Sequence, residues 1–211
     1  MTKKERALAV VDLLKNAYPD AACALQYKHD YELLFATRLS AQCTDARVNL
    51  VTRDLFVTFP TLESFAEAPL EAIEEGIKTC GLFRTKARDL KACAIMLLEE
   101  FGGRVPDNMD DLLRLPGIGR KTANLILGDI YKQPGAVVTD THCIRLANRL
   151  GLVKNEKDPL KVENALRALL DPAESNDFCH RLVLHGRAVC MARKPDCANC
   201  TLAVCCKSAA G

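Results

Sequence analysis

The stretch LPGIGRKTANLIL, residues 115–127, contains the local pattern from which we predict the fold. The segment before it, MDDLLRL (109–115), has helical periodicity, and RKTANLILGDIY (120–131) has it again after the turn. Gly117 and Gly119 let the backbone turn tightly and bring its N–H groups to the surface beside the second helix. We therefore predict two helices joined by a hairpin that can bind a phosphate, although a plain helix–helix turn would have the same pattern.

Lys121 gives this hairpin a possible chemical role. At about 100° per residue the second helix has one buried stripe, formed by Ala123, Ile126, Leu127 and Ile130. Lys121 points away from that stripe, on a face shared with Asn124, Leu125 and Gly128. The partial positive charge of a helix N-terminus disfavours a protonated lysine, and a neutral amine can attack carbon. Lys121 is therefore a candidate nucleophile, weighed against the commoner role of an exposed lysine as solvated surface.

Asp140 is the second candidate. It precedes the helical segment THCIRLANRL (141–150), so we predict that it is the N-cap, with its carboxylate held in ionised form by backbone N–H groups. The free edge of the carboxylate could face Lys121 across the loop 132–139. A fixed anion there could stabilise positive charge on a sugar, as carboxylates do in glycoside cleavage. Capping alone would also explain the residue.

Cysteines crowd the C-terminal segment CMARKPDCANCTLAVCC (190–206). A C-x6-C-x2-C-x5-C spacing selects Cys190, Cys197, Cys200 and Cys206 as metal ligands. One compact loop of four thiolates favours an iron–sulfur cluster, since a zinc ribbon prefers two close pairs separated by a longer stretch. Cys205 competes with Cys206 as the fourth ligand. Arg193 and Lys194, inside the loop, would face outward towards phosphates.

Composition and periodicity indicate an all-α protein. Ten segments of the 211 residues have helical spacing, short turns separate them, and the one strand-like run, AVV (136–138), is too short for a sheet. No apolar run approaches the roughly 18 residues of a membrane span, and the N-terminus lacks the pattern of a signal peptide. We therefore expect an intracellular protein without a disulfide scaffold. The net charge of +2 is uneven, because residues 178–211 carry five basic and one acidic side chain.

Together these features resemble the endonuclease III family, the bifunctional DNA glycosylases of the helix-hairpin-helix superfamily. LPGIGRKTAN is similar to the hairpin and nucleophile of that family, TDTHCIRLANR to its aspartate segment, and the cysteine spacing to its [4Fe-4S] loop. LLFATRLSAQCTDARVN and GLFRTKA resemble two further signature stretches. The resemblance extends over nearly the whole chain.

The resemblance implies a function and a site. It implies that Lys121 is a Schiff-base nucleophile, Asp140 its carboxylate partner, and Gln42 and Leu82 the residues pushed into the duplex where a damaged base flips out. The hairpin amides of Gly117, Ile118 and Gly119 would hold the DNA backbone. The implied substrate is double-stranded DNA with an oxidised pyrimidine or an abasic site. We expect a monomer in the prokaryotic cytoplasm, at the nucleoid when bound to DNA, with no membrane partner.

The resemblance also implies two helical lobes with the active site in the cleft between them. Residues 23–133 would form a six-helix lobe with the hairpin, and residues 1–22 with 134–211 a terminal lobe with the [4Fe-4S] cluster. Three departures from the family pattern are Arg38 in an otherwise apolar helix, Thr139 in place of an aliphatic residue, and the extra Cys205. Two alternatives stay open: a monofunctional adenine-mismatch glycosylase, and a non-catalytic DNA-binding module with a zinc staple.

Overall fold

The computed structural model describes residues 1–209 and confirms the all-α class. Within that range the chain forms eleven α-helices, two short 3-10 helices and no β-strand. The helices are α1 (Lys3–Ala17), α2 (Asp30–Leu39), α3 (Asp45–Thr58), α4 (Leu62–Glu67), α5 (Leu70–Gly76), α6 (Phe83–Phe101), α7 (Met109–Arg114), α8 (Arg120–Asp129), α9 (Thr141–Leu150), α10 (Pro159–Arg167) and α11 (Ser175–Ala188). The 3-10 helices are Pro172–Glu174 and Ala203–Cys205. No helix within residues 1–209 is both long and apolar enough to cross a membrane.

Ten helices were expected, and α4 is the additional one. Its six residues are too few to show a period, but Thr61 caps it by accepting a hydrogen bond from the Ser64 amide at 3.2 Å, and Ser64 returns the bond in a capping box. Pro69 then separates α4 from α5. The run 136–138 is buried and belongs to no strand, as expected.

The chain divides into two compact units, of which one is the continuous segment Ala24–Tyr131. It contains α2 to α8, seven helices where the resemblance implies six, because α4 and α5 are separate. The long α6 packs against α2, α4 and α5, and α8 packs against α2 and α7. Phe65 lies at the centre of an aromatic cluster, with its ring centroid 5.0 Å from that of Phe35 and 5.2 Å from that of Phe59. Each such pair is worth about 0.5–1.5 kcal/mol beyond the area it buries.

The other unit joins Met1–Cys23 to the chain from Lys132 onward. Here α11 packs against α1 and α9, and α10 packs against α9. The amphipathic α1 buries Ala7, Val10, Val11 and Leu14. A half-buried Glu174 accepts hydrogen bonds from Lys15 at 2.7 Å and from Arg181 at 3.1 Å, so it ties α1 to α11. The contact with Lys15 joins residues 159 positions apart in the chain.

Candidate functional site

The predicted hairpin is residues 115–119, between α7 and α8. Gly117 has φ +74, a left-handed conformation that glycine adopts without strain. The Ile118 amide already donates to the Leu115 carbonyl at 3.1 Å, and the Ile118 side chain is buried. Gly119 is the N-cap of α8 and supplies no side-chain cap, and the first turn carries no acidic residue. Within residues 1–209 no backbone group occupies the amides of Gly117 and Gly119. They are therefore available to an anion, whereas the Ile118 amide is not.

The departure at Arg38 is explained by this hairpin. Arg38 donates to Asp89 Oδ2 from Nε at 2.8 Å and from Nη2 at 2.5 Å, and both side chains are mostly buried. The pair lies directly against Gly117: a Cβ at that glycine would be 2.5 Å from Arg38 Nε and 2.7 Å from Asp89 Oδ2. The ion pair therefore joins α2 to α6 underneath the turn, and it needs a residue without a side chain there.

Lys121 is the second residue of α8 and is exposed, as expected. The rest of the helix face that we expected to be exposed with it is buried. Every residue from Ala123 to Asp129 is buried, including Asn124, Leu125 and Gly128. The helix runs into the core, so one apolar stripe was too narrow a prediction. Lys121 is exposed because it stands in the first turn. No hydrogen bond or ion pair within residues 1–209 involves its ammonium group.

Asp140 is the N-cap of α9, as the sequence predicts. Its Oδ1 accepts a hydrogen bond from the Cys143 amide at 2.7 Å, and the residue is half-buried. The Cys143 thiol is hydrogen-bonded to Cys179, and together with burial this raises the pKa of Cys143 well above its ordinary value. Cys179 in turn accepts from the Val138 amide at 3.3 Å, and Thr139 is buried. The carboxylate is thus fixed on a well-packed helix end.

Gln42 and Leu82 share two features that sequence reasoning did not predict. Both have positive φ, 55° and 59°, although neither is a glycine, and both are exposed, Leu82 by 59%. Such residues store strain that the surrounding structure must support. Their loops are neighbours, since a Cβ at Gly81 would lie 3.6 Å from the Gln42 carbonyl oxygen. The thiols of Cys43 and Cys80 are also hydrogen-bonded, and the pKa of Cys80 rises to about 11, mainly through burial.

Lys86 was missed by the sequence analysis. It is fully buried in α6, and its ammonium group donates to the Leu39 carbonyl at 2.8 Å and to the Ala41 carbonyl at 2.7 Å. One signal was present in the sequence, because Lys86 occupies the same helical stripe as the buried Leu90, Cys93 and Leu97.

Four of the five C-terminal cysteines form a set. Burial raises the pKa of the Cys200 thiol, and the charges of Cys190, Cys206 and Cys197 raise it further, so the four thiols lie within electrostatic range. Burial raises the pKa of the Cys205 thiol too, and the charges of Cys206 and Cys200 raise it further, but Cys205 is buried whereas Cys206 is partly exposed.

Polar groups surround this set. Arg149 Nη1 donates to Cys190 Sγ at 3.2 Å, and His185 Nε2 lies 3.4 Å from Cys200 Sγ. Arg193 and Lys194 are exposed in the loop. Within residues 1–209 no three His, Cys, Asp or Glu side chains converge on a point where one metal ion could sit. An iron–sulfur cluster does not require that arrangement, because each thiolate binds a different iron.

Comparison with known proteins gives the family. Residues 35–172 match the model of the HhH-GPD superfamily base excision DNA repair protein. Endonuclease III of Synechocystis sp. is 45% identical over 208 residues, which are 99% of this chain and 94% of that protein, and endonuclease III of Escherichia coli is 38% identical over 201 residues, 94% and 93%. The chain belongs to the endonuclease III family.

Solved structures agree with this membership. A trapped endonuclease III–DNA covalent intermediate superimposes with a TM-score of 0.94 at 37% identity, covering 100% of this chain and 98% of that one. A thermostable thymine-DNA glycosylase, with a TM-score of 0.88 at 23% identity, shares the fold. Endonuclease III is a DNA glycosylase and abasic-site lyase, so the protein is a base-excision repair enzyme. Membership favours this function over an adenine-mismatch glycosylase and over a non-catalytic binding module.

Proposed function

We propose that the protein removes oxidised pyrimidines from double-stranded DNA and cleaves the resulting abasic strand through a Schiff base on Lys121. One observation carries the proposal: an exposed lysine, with no partner among residues 1–209, stands in the first turn of α8, directly after a hairpin whose helix end has no side-chain cap. The similarity to a trapped endonuclease III–DNA covalent intermediate supports a covalent route.

The mechanism uses one amine for both reactions. The neutral Lys121 amine attacks C1′ of the deoxyribose, a C–N bond forms, and the bond from C1′ to the base breaks as the base leaves with a proton. The sugar ring then opens, as the C1′–O4′ bond breaks and O4′ takes a proton, which leaves an imine between C1′ and the lysine nitrogen. This imine acidifies the C2′ proton. Loss of that proton expels the 3′ phosphate oxygen, so the strand breaks by β-elimination. Asp140 stabilises the positive charge that develops on the sugar, and its cap bond to the Cys143 amide fixes the carboxylate for this role.

Base extrusion needs residues that occupy the vacated space. A base within a duplex cannot be reached in place, and a damaged or weakly paired base flips out at lower cost. Gln42 and Leu82 fill the gap in our proposal, as wedging side chains do in other bent complexes. Their exposure and left-handed backbone support this role, because strained and exposed residues of this kind cluster at functional sites.

Phosphate contacts hold the strand. The amides of Gly117 and Gly119, with the positive end of α8, bind one phosphate, and Arg193 and Lys194 bind others. Ile118 contributes by holding the turn through its bond to Leu115. The protein acts as a monomer in this proposal, and in a prokaryotic cell it would meet its substrate in the nucleoid.

The cofactor is a [4Fe-4S] cluster on Cys190, Cys197, Cys200 and Cys206. The donor set fits, because the four ligand side chains are exposed or partly exposed in the loop, whereas Cys205 is buried. When bound, the cluster supplies a rigid crosslink for the loop that carries Arg193 and Lys194. A brown protein is expected, with visible absorption lost in Cys206→Ser and kept in Cys205→Ser. A colourless, zinc-loaded protein, or the reverse pattern in the two variants, would contradict this assignment.

Borohydride trapping tests the nucleophile. The unaltered protein should give a covalent adduct with DNA that contains an abasic site, and Lys121→Gln should give none. Lys161→Gln is the matched control, since Lys161 is also an exposed lysine in the first turn of a helix but follows no hairpin. An adduct that persists in Lys121→Gln would show that another amine is the nucleophile. Binding to abasic DNA without cleavage by the unaltered protein would instead support the non-catalytic module.

A further inference from the structure

Lys86 is a buried cation at the end of a helix that leads to a proposed wedge. The helix α2 ends at Leu39, and its last carbonyls have no partner within the helix. Backbone and hydroxyl groups of Ser40 satisfy the carbonyls of Ala36 and Thr37, at 2.9 and 2.8 Å. The Leu39 carbonyl is satisfied by Lys86 Nζ, which also bonds the Ala41 carbonyl one residue before Gln42. The cation therefore sets the path of the chain from the helix end to Gln42.

The same residue also holds the second wedge. Leu82 is the N-cap of α6, and the Lys86 amide donates to its carbonyl at 3.1 Å. Lys86 thus binds the Leu82 loop through its backbone and the Gln42 loop through its side chain. Both supported residues are in the strained left-handed region, where surrounding contacts must impose the conformation.

Burying the Lys86 ammonium group costs free energy that a purely structural apolar residue would not cost. The side chain is fully buried, and burial lowers the pKa of Lys86, so the charged form is disfavoured by its surroundings. A methionine of similar length would fill the space without that penalty. Methionine would supply no hydrogen-bond donor for the Leu39 and Ala41 carbonyls at the helix end.

We propose that Lys86 is a positioning residue for base extrusion, which holds Gln42 and Leu82 at the separation and angle that entry into the duplex requires. The inference rests on the proposed wedge role of Gln42 and Leu82. It predicts that loss of Lys86 impairs only the steps in which a base must leave a duplex. A residue that served stability alone would affect all steps alike.

Lys86→Met is the principal variant, and Lys91→Met is its matched control. Lys91 lies in the same helix and also donates to a backbone carbonyl, that of Ala68 at 2.5 Å, in the turn between α4 and α5. Two substrates are compared: a duplex with one oxidised pyrimidine, and a single-stranded oligonucleotide with an abasic site, which has no base to extrude. Lys86→Met should lower kcat/KM on the duplex by about 10- to 100-fold, the scale of a misplacement of about 1 Å, and change it less than about 3-fold on the single strand. Lys91→Met should change neither by more than about 3-fold.

A double-variant comparison separates this inference from the proposed function. If Lys86 acts through Gln42, Gln42→Ala with Lys86→Met should be hardly slower on the duplex than Gln42→Ala alone. If Gln42→Ala has the normal rate, the wedge role fails. If Gln42→Ala is slow and Lys86→Met multiplies the defect by its full factor, or if Lys86→Met slows both substrates equally, the role of Lys86 is refuted. Should Lys86→Met not fold, the same comparisons apply to Lys86→Gln, which is polar but one bond shorter, so that its amide cannot hold both carbonyls where Lys86 Nζ holds them.

Discussion

Gly117→Ala should destabilise the protein by about 3 kcal/mol, whereas Gly119→Ala should leave its stability almost unchanged. An alanine at φ +74 costs about 1–2 kcal/mol in backbone strain. Its Cβ would also stand 2.5 Å from Arg38 Nε and 2.7 Å from Asp89 Oδ2, so the ion pair must separate. A hydrogen bond between charged groups is worth about 1.5–3 kcal/mol. Partial adjustment of the flexible arginine brings the total to about 3 kcal/mol.

Gly119 is a control only two residues away. Its φ is −105, and a Cβ there would meet no atom within 4 Å. Alanine is a poorer N-cap than glycine by about 0.5 kcal/mol, but it also reduces the entropy of the unfolded chain by an equivalent of about 0.4–1 kcal/mol. These two effects nearly offset each other.

Urea unfolding of the two variants, compared on proteins with the same cluster content, measures the difference. A third measurement isolates the ion pair: in a background of Arg38→Ala and Asp89→Ala, Gly117→Ala should cost only the backbone term of about 1–2 kcal/mol. Equal stability of the Gly117 and Gly119 variants, within about 0.5 kcal/mol, would show that the ion pair does not constrain the turn.

Three further predictions follow from the described contacts. Asp140→Asn should keep the helix cap, so its free energy of unfolding should change by less than about 0.5 kcal/mol, while base release from damaged duplex becomes much slower; an unchanged rate would leave Asp140 as a cap alone. Hydrogen bonds from Lys15 and then Arg181 lower the pKa of Glu174 from its ordinary 4.5, so the stability it contributes is present above that pH and lost as the pH falls through the folded-state pKa. Urea titrations should therefore find Glu174→Gln less stable by about 1 kcal/mol at pH 7, with the deficit disappearing in acid, and a deficit independent of pH would contradict the ion-pair explanation. Burial raises the pKa of Cys93 to about 12, so mass spectrometry should find Cys93 unalkylated in the folded protein at pH 8 and alkylated after unfolding, whereas rapid labelling of the folded state would refute its burial.

Local patterns carried most of what could be predicted from the sequence. The hairpin, the cap at Asp140 and the exposure of Lys121 each depend on residues within a few positions, which the chain itself specifies. The cysteine spacing is also local, but it left Cys205 and Cys206 as competitors. Only packing distinguishes them, because Cys205 is buried while Cys206 is partly exposed.

What the sequence did not reveal depends on contacts between distant segments. Nothing in the side chains of Gln42 and Leu82 indicates a positive φ, which glycine usually supplies, so their role came from family resemblance alone. The burial of every α8 residue from Ala123 to Asp129 was likewise missed, because a helix enclosed by neighbours need not show one apolar stripe. Arg38 was an unexplained departure in an apolar helix until its partner, 51 positions away, was known. Lys86 drew no prediction at all, because the Leu39 carbonyl that it binds is 47 positions away.

The unit that joins Met1–Cys23 to the chain from Lys132 onward cannot be completed until its C-terminal helices have been synthesised. The helix α1 is synthesised well before α11, which covers its apolar side and begins at Ser175. At about 5–20 residues per second, the nascent N-terminus waits roughly 10–30 s with Ala7, Val10 and Leu14 uncovered. The intervening segment Ala24–Tyr131 carries its own contacts and can fold during that interval. Translation therefore completes the unit Ala24–Tyr131 before the other unit, and a chaperone that binds short apolar helices would find its target in α1 (Lys3–Ala17).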